Sequence, residues 1–218
     1  MSQIVKNLPL SLSVSALVVG LFLSGCGGGD GSPPPQPTAT SGYAVDGYLR
    51  NSAVLCDADG NGVPSVGEVT ATTTSGGLFT FPQGCTSGAV VTGGTNADTG
   101  LPFTGTLKAP AGAKAATPLT TLMVAGLTQD QLNAALGLPA GTDIANIDPA
   151  ATTGGALVHA VLMKKTLAVQ QLLQKTAEML NGLSAAPEAS ALPAIYTEVA
   201  IAYAFALWAV GLADRAEV

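Results

Sequence analysis

The spacing of the apolar residues changes once along the chain, near residues 109–113, and this change limits the fold more than any other feature. Before it, apolar and polar residues alternate in short runs such as 43–49 and 78–81, which is typical of strands with one buried face. After it, apolar residues recur about every 3.6 positions, as in amphipathic helices. The sequence therefore predicts an α+β fold, with a small antiparallel β-sandwich over 42–108 and a C-terminal helical bundle over 109–218.

Short turn sequences divide the first part into strands. We expect these strands over residues 53–56, 69–74, 78–81, 89–92 and 104–108. Ser75-Gly76-Gly77 is a tight-turn sequence, so it predicts a hairpin between the second and third of these strands.

Capping residues mark the helices of the second part. Pro118 is suited to the first turn of a helix, and Thr128 with Gln131 forms a capping box for the next one. Asp148, followed by a proline, is expected to start a long helix that covers about 152–181.

The last helix, predicted over 195–213 with Ser190 as its cap, raises the alternative of a membrane span. Residues 199–213 carry no charge. These fifteen residues are fewer than the roughly twenty that cross a bilayer, and Glu198 interrupts the longer apolar run. A buried helix of the bundle is therefore favoured.

Twelve residues between two predicted strands match a calcium-binding loop. Residues 57–68 read DADGNGVPSVGE and fit the pattern D-x-[DN]-x-[DN]-G-x5-E at every defined position. The glycine at position 6 permits the sharp bend, and oxygens at positions 1, 3, 5, 7, 9 and 12 surround the ion. A solvated turn without metal is the alternative, since the same residue types dominate ordinary turns. The predicted Ca²⁺ ligands are Asp57, Asp59, Asn61, Val63, Ser65 and Glu68.

The N-terminal residues predict export and attachment to a membrane. Residues 1–25 contain one early lysine, an apolar run and small residues, as in a signal peptide. The run ends in Leu-Ser-Gly-Cys26, which resembles the lipobox of bacterial lipoproteins, and that resemblance implies a lipid on Cys26. Gly27 then implies the outer membrane of a double-membraned cell. An ordinary signal peptide and an uncleaved anchor helix are the alternatives. The Gly- and Pro-rich residues 26–41 predict a tether.

With Cys26 modified, two cysteines remain. Cys56 precedes the acidic loop and Cys85 follows the strand predicted at 78–81. An even pair in an exported chain predicts a disulfide. Two free thiols or a metal-binding pair are the alternatives, although no cluster of Cys or His accompanies the pair.

The order of elements around the acidic loop resembles that of a known family. A strand leads into the loop, and a threonine-rich strand, a small turn and a Phe-containing strand follow it. Over about 42–108 this order resembles the calcium-binding B-type repeats of serine-aspartate surface adhesins and the related transthyretin-like, carboxypeptidase-regulatory modules. Segments 91–95 and 101–107 are similar to stretches of bacterial surface lipoproteins. In those adhesins calcium is structural, which implies the same role for the loop here. The chain departs from those adhesins in two ways. It has a single module rather than a string of them, and position 9 of the loop is Ser65, where a carboxylate would bind calcium more strongly.

Charge and composition argue against two classes of function. The chain has 8 Lys and Arg against 14 Asp and Glu, so it offers no basic patch for nucleic acid. His159 is the single histidine and lies within a predicted helix. It is expected to be buried or half-buried there, and the sequence pairs it with no nucleophile or orienting group. We therefore predict neither a nucleic-acid partner nor an enzymatic activity.

These features together predict a lipid-anchored cell-envelope protein with a structural calcium site. Its expected role is binding, adhesion or scaffolding, with a protein or a glycan as the partner. Two alternatives are an accessory domain that regulates an envelope hydrolase and a periplasmic carrier of an apolar ligand.

Overall fold

A computed structural model describes residues 40–151 and 156–216 of the chain. The predicted signal peptide, most of the predicted tether and Cys26 lie outside these residues. The first part contains strands β1 Thr40–Ala44, β2 Leu49–Arg50, β3 Ala53–Asp57, β4 Val69–Thr72, β5 Leu78–Phe81, β6 Gly88–Thr92, β7 Thr95–Asn96, β8 Thr106–Ala109 and β9 Ala115–Ala116. The second contains helices α1 Pro118–Val124, α2 Gln129–Ala135, α3 Ala156–Gly182 and α4 Leu192–Ala216, with a 3₁₀ turn Ala189–Ala191 before α4. The fold is α+β, as predicted.

The described strands form three sheets. One has the order β4-β3-β6-β8, one β5-β1-β9, and β2 pairs with β7. The four-stranded sheet is antiparallel throughout. In the three-stranded sheet β1 is antiparallel to β5 but parallel to β9, with Tyr43 opposite Ala115. Strand β9 lies beyond residues 42–108, where the antiparallel sandwich was predicted, and within the part predicted to be helical. It reaches β1 by a long crossover rather than by a hairpin.

The turn at 75–77 does not close a hairpin, so that prediction was wrong. The turn itself is tight, since Thr74 N donates to Leu78 O at 2.8 Å. However, β4 pairs with β3 whereas β5 pairs with β1. Gly77 has a φ of 70°, and a Cβ there would lie 2.7 Å from the carbonyl oxygen of Ala44. The turn thus passes the chain from one sheet to the other, close against β1.

Buried apolar residues of the described chain form two clusters. The strand cluster takes residues from both larger sheets, namely Ala44, Phe79, Phe81 and Ala116 from one and Val54, Cys56, Ala89, Val91, Leu107 and Ala109 from the other. The helix cluster includes Leu119, Leu122, Leu132, Leu162, Leu173, Tyr196, Val199, Ala200 and Ala204. The predicted domain boundary after residue 108 stays a prediction.

Two helix starts follow the predicted capping signals. Pro118 is the first residue of α1, and Thr117 before it forms a capping box with Thr120. The Thr128 side chain accepts from the backbone N–H of Gln131, and the Gln131 side chain accepts from that of Thr128. Both boxes satisfy amide groups that have no partner within their helix.

Two other predicted capping residues, Asp148 and Ser190, do not cap a helix. Residues 148–151 form a turn, in which the Asp148 carboxylate accepts from Ala150 N at 3.0 Å. The long helix predicted over about 152–181 is present as α3, described from Ala156 to Gly182, and residues 152–155 lie outside the described part of the chain. Ser190 lies inside the 3₁₀ turn, and its hydroxyl donates to Glu188 Oε2 rather than to a helix end. That turn leads directly into α4, which leaves no position for a cap at residue 190.

Helix α4 is buried on one face only. Tyr196, Ala200 and Ala204 are buried in the helix cluster, whereas Ile201 and Phe205 are 46% and 67% exposed. Among the described residues, the stretch Ala189–Val210 is long and apolar enough to cross a membrane, judged by length and composition alone. The sequence prediction of a buried helix therefore holds for one side of α4 and not for the other.

Candidate metal centre

The acidic loop 57–68 joins two neighbouring strands of the four-stranded sheet. Strands β3 and β4 are antiparallel, and Cys56 lies opposite Val69. This register places the first loop residue, Asp57, beside the last, Glu68. The sheet therefore brings the two ends of the motif together.

Three carboxylates of the loop converge. Each of Asp57, Asp59 and Glu68 has a carboxylate oxygen within 4.8 Å of one from each of the other two, so the group could hold a metal ion. Like charges this close repel one another, and a divalent cation between them would reverse the sign of the interaction.

Hydrogen bonds to backbone amides shape the loop around these side chains. Asp57 Oδ2 accepts from Gly62 N at 3.1 Å, and Asp59 Oδ1 accepts from Asn61 N at 3.0 Å. Gly62 has a φ of 75°, which residues with a Cβ rarely adopt. The glycine at motif position 6 therefore allows the chain to turn its amide towards Asp57.

The Glu68 carboxylate spans the loop. Its Oε1 accepts from Ala58 N at 2.7 Å, and its Oε2 accepts from Ser65 N at 2.8 Å. Oε1 also accepts a longer bond from Asp59 N at 3.4 Å. A carboxylate oxygen has two lone pairs, so Oε2 can keep its one backbone hydrogen bond and still bind a cation. Glu68 is thus fixed in place before any ion binds.

One carboxylate oxygen has no partner. Asp57 Oδ1 is buried and accepts no hydrogen bond from residues 40–151 or 156–216. Burial of a charged oxygen without a donor is unfavourable, because the oxygen loses its water and gains nothing in return. A bound cation would supply the missing interaction, so the residues present fit a metal.

The other predicted ligands lie near the carboxylates to different degrees. Asn61 Nδ2 donates to Asp59 Oδ2 at 2.7 Å and to Ser65 Oγ at 2.9 Å. Because the amide nitrogen faces these oxygens, Asn61 must rotate its amide group to offer Oδ1 to a cation beside them. The carbonyl oxygen of Val63 accepts a hydrogen bond from Ser65 Oγ at 3.4 Å. This hydroxyl links the Val63 carbonyl to the other predicted ligands.

A disulfide lies next to the loop. Cys56 and Cys85 are bonded, with 5.8 Å between their Cα atoms, which confirms the predicted pair and removes the alternative of free thiols. Cys85 N also donates to Thr40 Oγ1 at 3.0 Å, at the start of β1. The bond therefore connects the residue before Asp57 to the segment that passes between the two larger sheets.

A second pair of carboxylates lies outside the loop. Asp46 is only 7% exposed. Burial raises the pKa of its carboxyl to about 7, and the negative charge of Asp98 adds to that shift. Neither residue belongs to the group formed by Asp57, Asp59 and Glu68. No local pattern links two aspartates so far apart in the chain, so the sequence alone could not place them in space.

The single histidine contacts the backbone. His159 is half-buried in α3, as predicted, and its Nδ1 lies 2.6 Å from the carbonyl oxygen of Asp148. The Asp148 carboxylate accepts from the Tyr48 hydroxyl at 2.7 Å, and burial with this bond raises the pKa of Tyr48. These contacts connect the strand-rich part to the start of the long helix.

Comparison of the chain with protein-family models found no matching family. Comparisons with curated proteins and with solved structures also found no match. The interpretation of the loop therefore depends on its own geometry.

Proposed function

We propose that the loop 57–68 is a structural Ca²⁺ site. The observation that carries this proposal is the buried, unpartnered Oδ1 of Asp57 beside the carboxylates of Asp59 and Glu68. The donor set consists of oxygen atoms only, which suits a hard cation rather than zinc. Its many oxygens on a single loop suit the flexible coordination of calcium better than the strict octahedron of magnesium.

The role of the ion would be to stiffen one end of a small β-sandwich. The two larger sheets share the strand cluster, which supports their packing face to face. β3 lies between β4 and β6 and leads directly into the loop. An ion bound to both Asp57 and Glu68 would hold the ends of β3 and β4 together, next to the disulfide at Cys56. The four helices would form a small bundle around the helix cluster.

We further propose that the protein is anchored in the cell envelope by a lipid on Cys26, in the outer membrane. The sequence that ends in Cys26 supports this. The Cys56–Cys85 disulfide supports export independently, because such bonds persist in oxidising compartments. Replacing Cys26 with serine should release the protein from the membrane fraction and stop its labelling by fatty acid. Unchanged membrane attachment and labelling would contradict the lipid anchor.

A tethered, calcium-stiffened module suits binding, adhesion or scaffolding, with a protein or a glycan as partner. Four carboxylate oxygens of the loop accept backbone hydrogen bonds, which suits a structural site. The pocket lined by Leu138, Pro139, Thr142, Leu157, Val158 and Val161 has a volume of about 140 Å³. It is smaller than the roughly 300–1,000 Å³ of pockets for drug-sized ligands, so this pocket does not by itself support a carrier of apolar ligands.

The calcium site is tested by titration calorimetry on the full chain carrying Cys26→Ser. We expect one Ca²⁺ to bind with a dissociation constant on the order of 10⁻⁴ to 10⁻³ M, as in extracellular modules. Glu68→Gln removes a charge and a ligand and should weaken binding at least about tenfold. Glu188→Gln is the matched control, because Glu188 is an exposed glutamate in another part of the chain. No binding by the parent chain, or equal binding by both variants, would contradict the proposal.

A further inference from the structure

The exposed face of α4 carries a stripe of large apolar side chains, which we call the α4 stripe and define as Ile201, Phe205 and Trp208. Their spacing puts them on one side of the helix. They are 46%, 67% and 42% exposed, and the rings of Phe205 and Trp208 lie 5.8 Å apart. Alanines fill the exposed surface between them, at Ala202, Ala206 and Ala209.

The α4 stripe is free of charge along its length. Residues 199–213 contain no Asp, Glu, Lys or Arg, and fifteen helical residues measure roughly 22 Å. Glu198 is exposed at one end, and Asp214 follows at the other end in sequence. Removing this surface from water would therefore desolvate no charged group, and each apolar side chain would gain free energy from burial.

We propose that the α4 stripe lies on the surface of the lipid bilayer, with α4 in the plane of the membrane. The stripe has no side-chain hydrogen-bonding group apart from the indole N–H of Trp208. A protein partner would need such groups, because protein interfaces carry about one hydrogen bond per 100–200 Å². A lipid surface needs none, and the amphipathic ring of tryptophan suits the boundary between headgroups and acyl chains.

The position of α4 in the fold favours a helix that lies on the membrane over one that crosses it. Its other face, with Tyr196, Ala200 and Ala204, is buried in the helix cluster. Crossing the bilayer would take that face out of the core, whereas lying on the surface uses only the exposed side.

The tether permits this contact. This step rests on the proposed lipid at Cys26. The roughly fourteen residues from Cys26 to Thr40 span at most about 50 Å when fully extended. The folded part is thus held near the membrane at a high effective concentration, so that a weak apolar contact suffices.

The test uses the fluorescence of Trp208, the single tryptophan of the chain. The lipidated full chain is reconstituted into phosphatidylcholine vesicles that carry bromine either near the carbonyl end or near the methyl end of the acyl chains. We expect quenching, and stronger quenching from the shallow bromine. No quenching would overturn the proposal. Stronger quenching from the deep bromine would also overturn it, because it would indicate a spanning helix.

A second measurement separates this proposal from the lipid anchor. The full chain with Cys26→Ser is mixed with phosphatidylcholine vesicles, and a blue shift of Trp208 emission is expected as lipid is added. Phe205→Gln should raise the lipid concentration at half-shift about tenfold. Leu101→Gln should leave it unchanged, because Leu101 is 65% exposed but lies in the strand-rich part. The blue shift should persist at high salt and in chelator, since neither charge nor calcium contributes to it.

Two results of this measurement would overturn the proposal. One is the absence of any lipid-dependent shift. The other is a blue shift of Trp208 emission that grows with protein concentration in the absence of lipid, together with a dimer in sedimentation. That result would mean that the α4 stripe packs against a second copy of the chain. Failure of the lipid anchor gives a different result, because the wild-type chain would then behave like the Cys26→Ser variant.

Discussion

Loss of the Cys56–Cys85 disulfide should cost about 3.6 kcal/mol of stability. The two cysteines are 29 positions apart. In the chain-entropy model, closing a loop of this length removes about 12 cal/mol/K from the unfolded chain, which is about 3.6 kcal/mol at 25 °C. Thr40 Oγ1 still accepts from Cys85 N in the folded state, so the segment keeps one contact without the covalent bond. The expected effect therefore lies mainly in the unfolded state.

The assay is urea unfolding followed by circular dichroism, on chains that carry Cys26→Ser as a common background. The parent keeps the disulfide, and the test variant carries Cys56→Ala with Cys85→Ala. A lower unfolding midpoint and a change of about 3–4 kcal/mol in the extrapolated free energy of unfolding are expected. A loss below about 1 kcal/mol would refute the reasoning, because it would mean that the unfolded chain is already held compact in this region.

Three further predictions concern buried polar groups. The pKa of Asp46 is about 7 in the folded chain and 3.8 in the unfolded chain, owing to burial and to Asp98. The contribution of Asp46 to stability is therefore full below about pH 4, and it is lost as the pH rises through about 7. Urea unfolding should therefore show stability falling by roughly 2–4 kcal/mol over that range, and Asp46→Asn should flatten this dependence; an unchanged slope would contradict the shift. Tyr196→Phe leaves the buried oxygen of Gln170 without its donor and should cost about 1–3 kcal/mol, which an unaltered thermal melt would disprove. Thr117→Ala removes the N-cap of α1 and should cost about 1 kcal/mol in the same melt; a gain in stability would count against the cap.

Features set by residues close in sequence could be predicted, and those set by distant contacts could not. The capping box of Thr128 and Gln131 involves neighbouring residues, so the sequence is sufficient to find it. The acidic loop is also contiguous, which is why the motif predicts the three carboxylates that converge. By contrast, the turn at 75–77 looks like a hairpin, but its two strands pair elsewhere, β4 with β3 and β5 with β1.

Contacts between residues distant in sequence also account for other features that the sequence alone could not predict. Asp46 meets Asp98, and Tyr48 meets Asp148, through the tertiary fold alone. Between residues 199 and 213 helix α4 carries no charge on any side, so its sequence does not indicate which face packs inward. Only its contact with the helix cluster separates the buried Ala204 from the exposed Phe205.

The most direct test of a structural calcium site is the thermal melt of the Cys26→Ser chain in chelator and in about 10 mM Ca²⁺. With a dissociation constant of 10⁻⁴ to 10⁻³ M, the ion should add about 1.4–2.7 kcal/mol, which corresponds to a rise of roughly 3–10 °C in Tm. Asp57→Asn replaces the unpartnered carboxylate and should abolish this rise, whereas Glu188→Gln should keep it. Superimposable melts of the parent chain in chelator and in calcium would contradict the account.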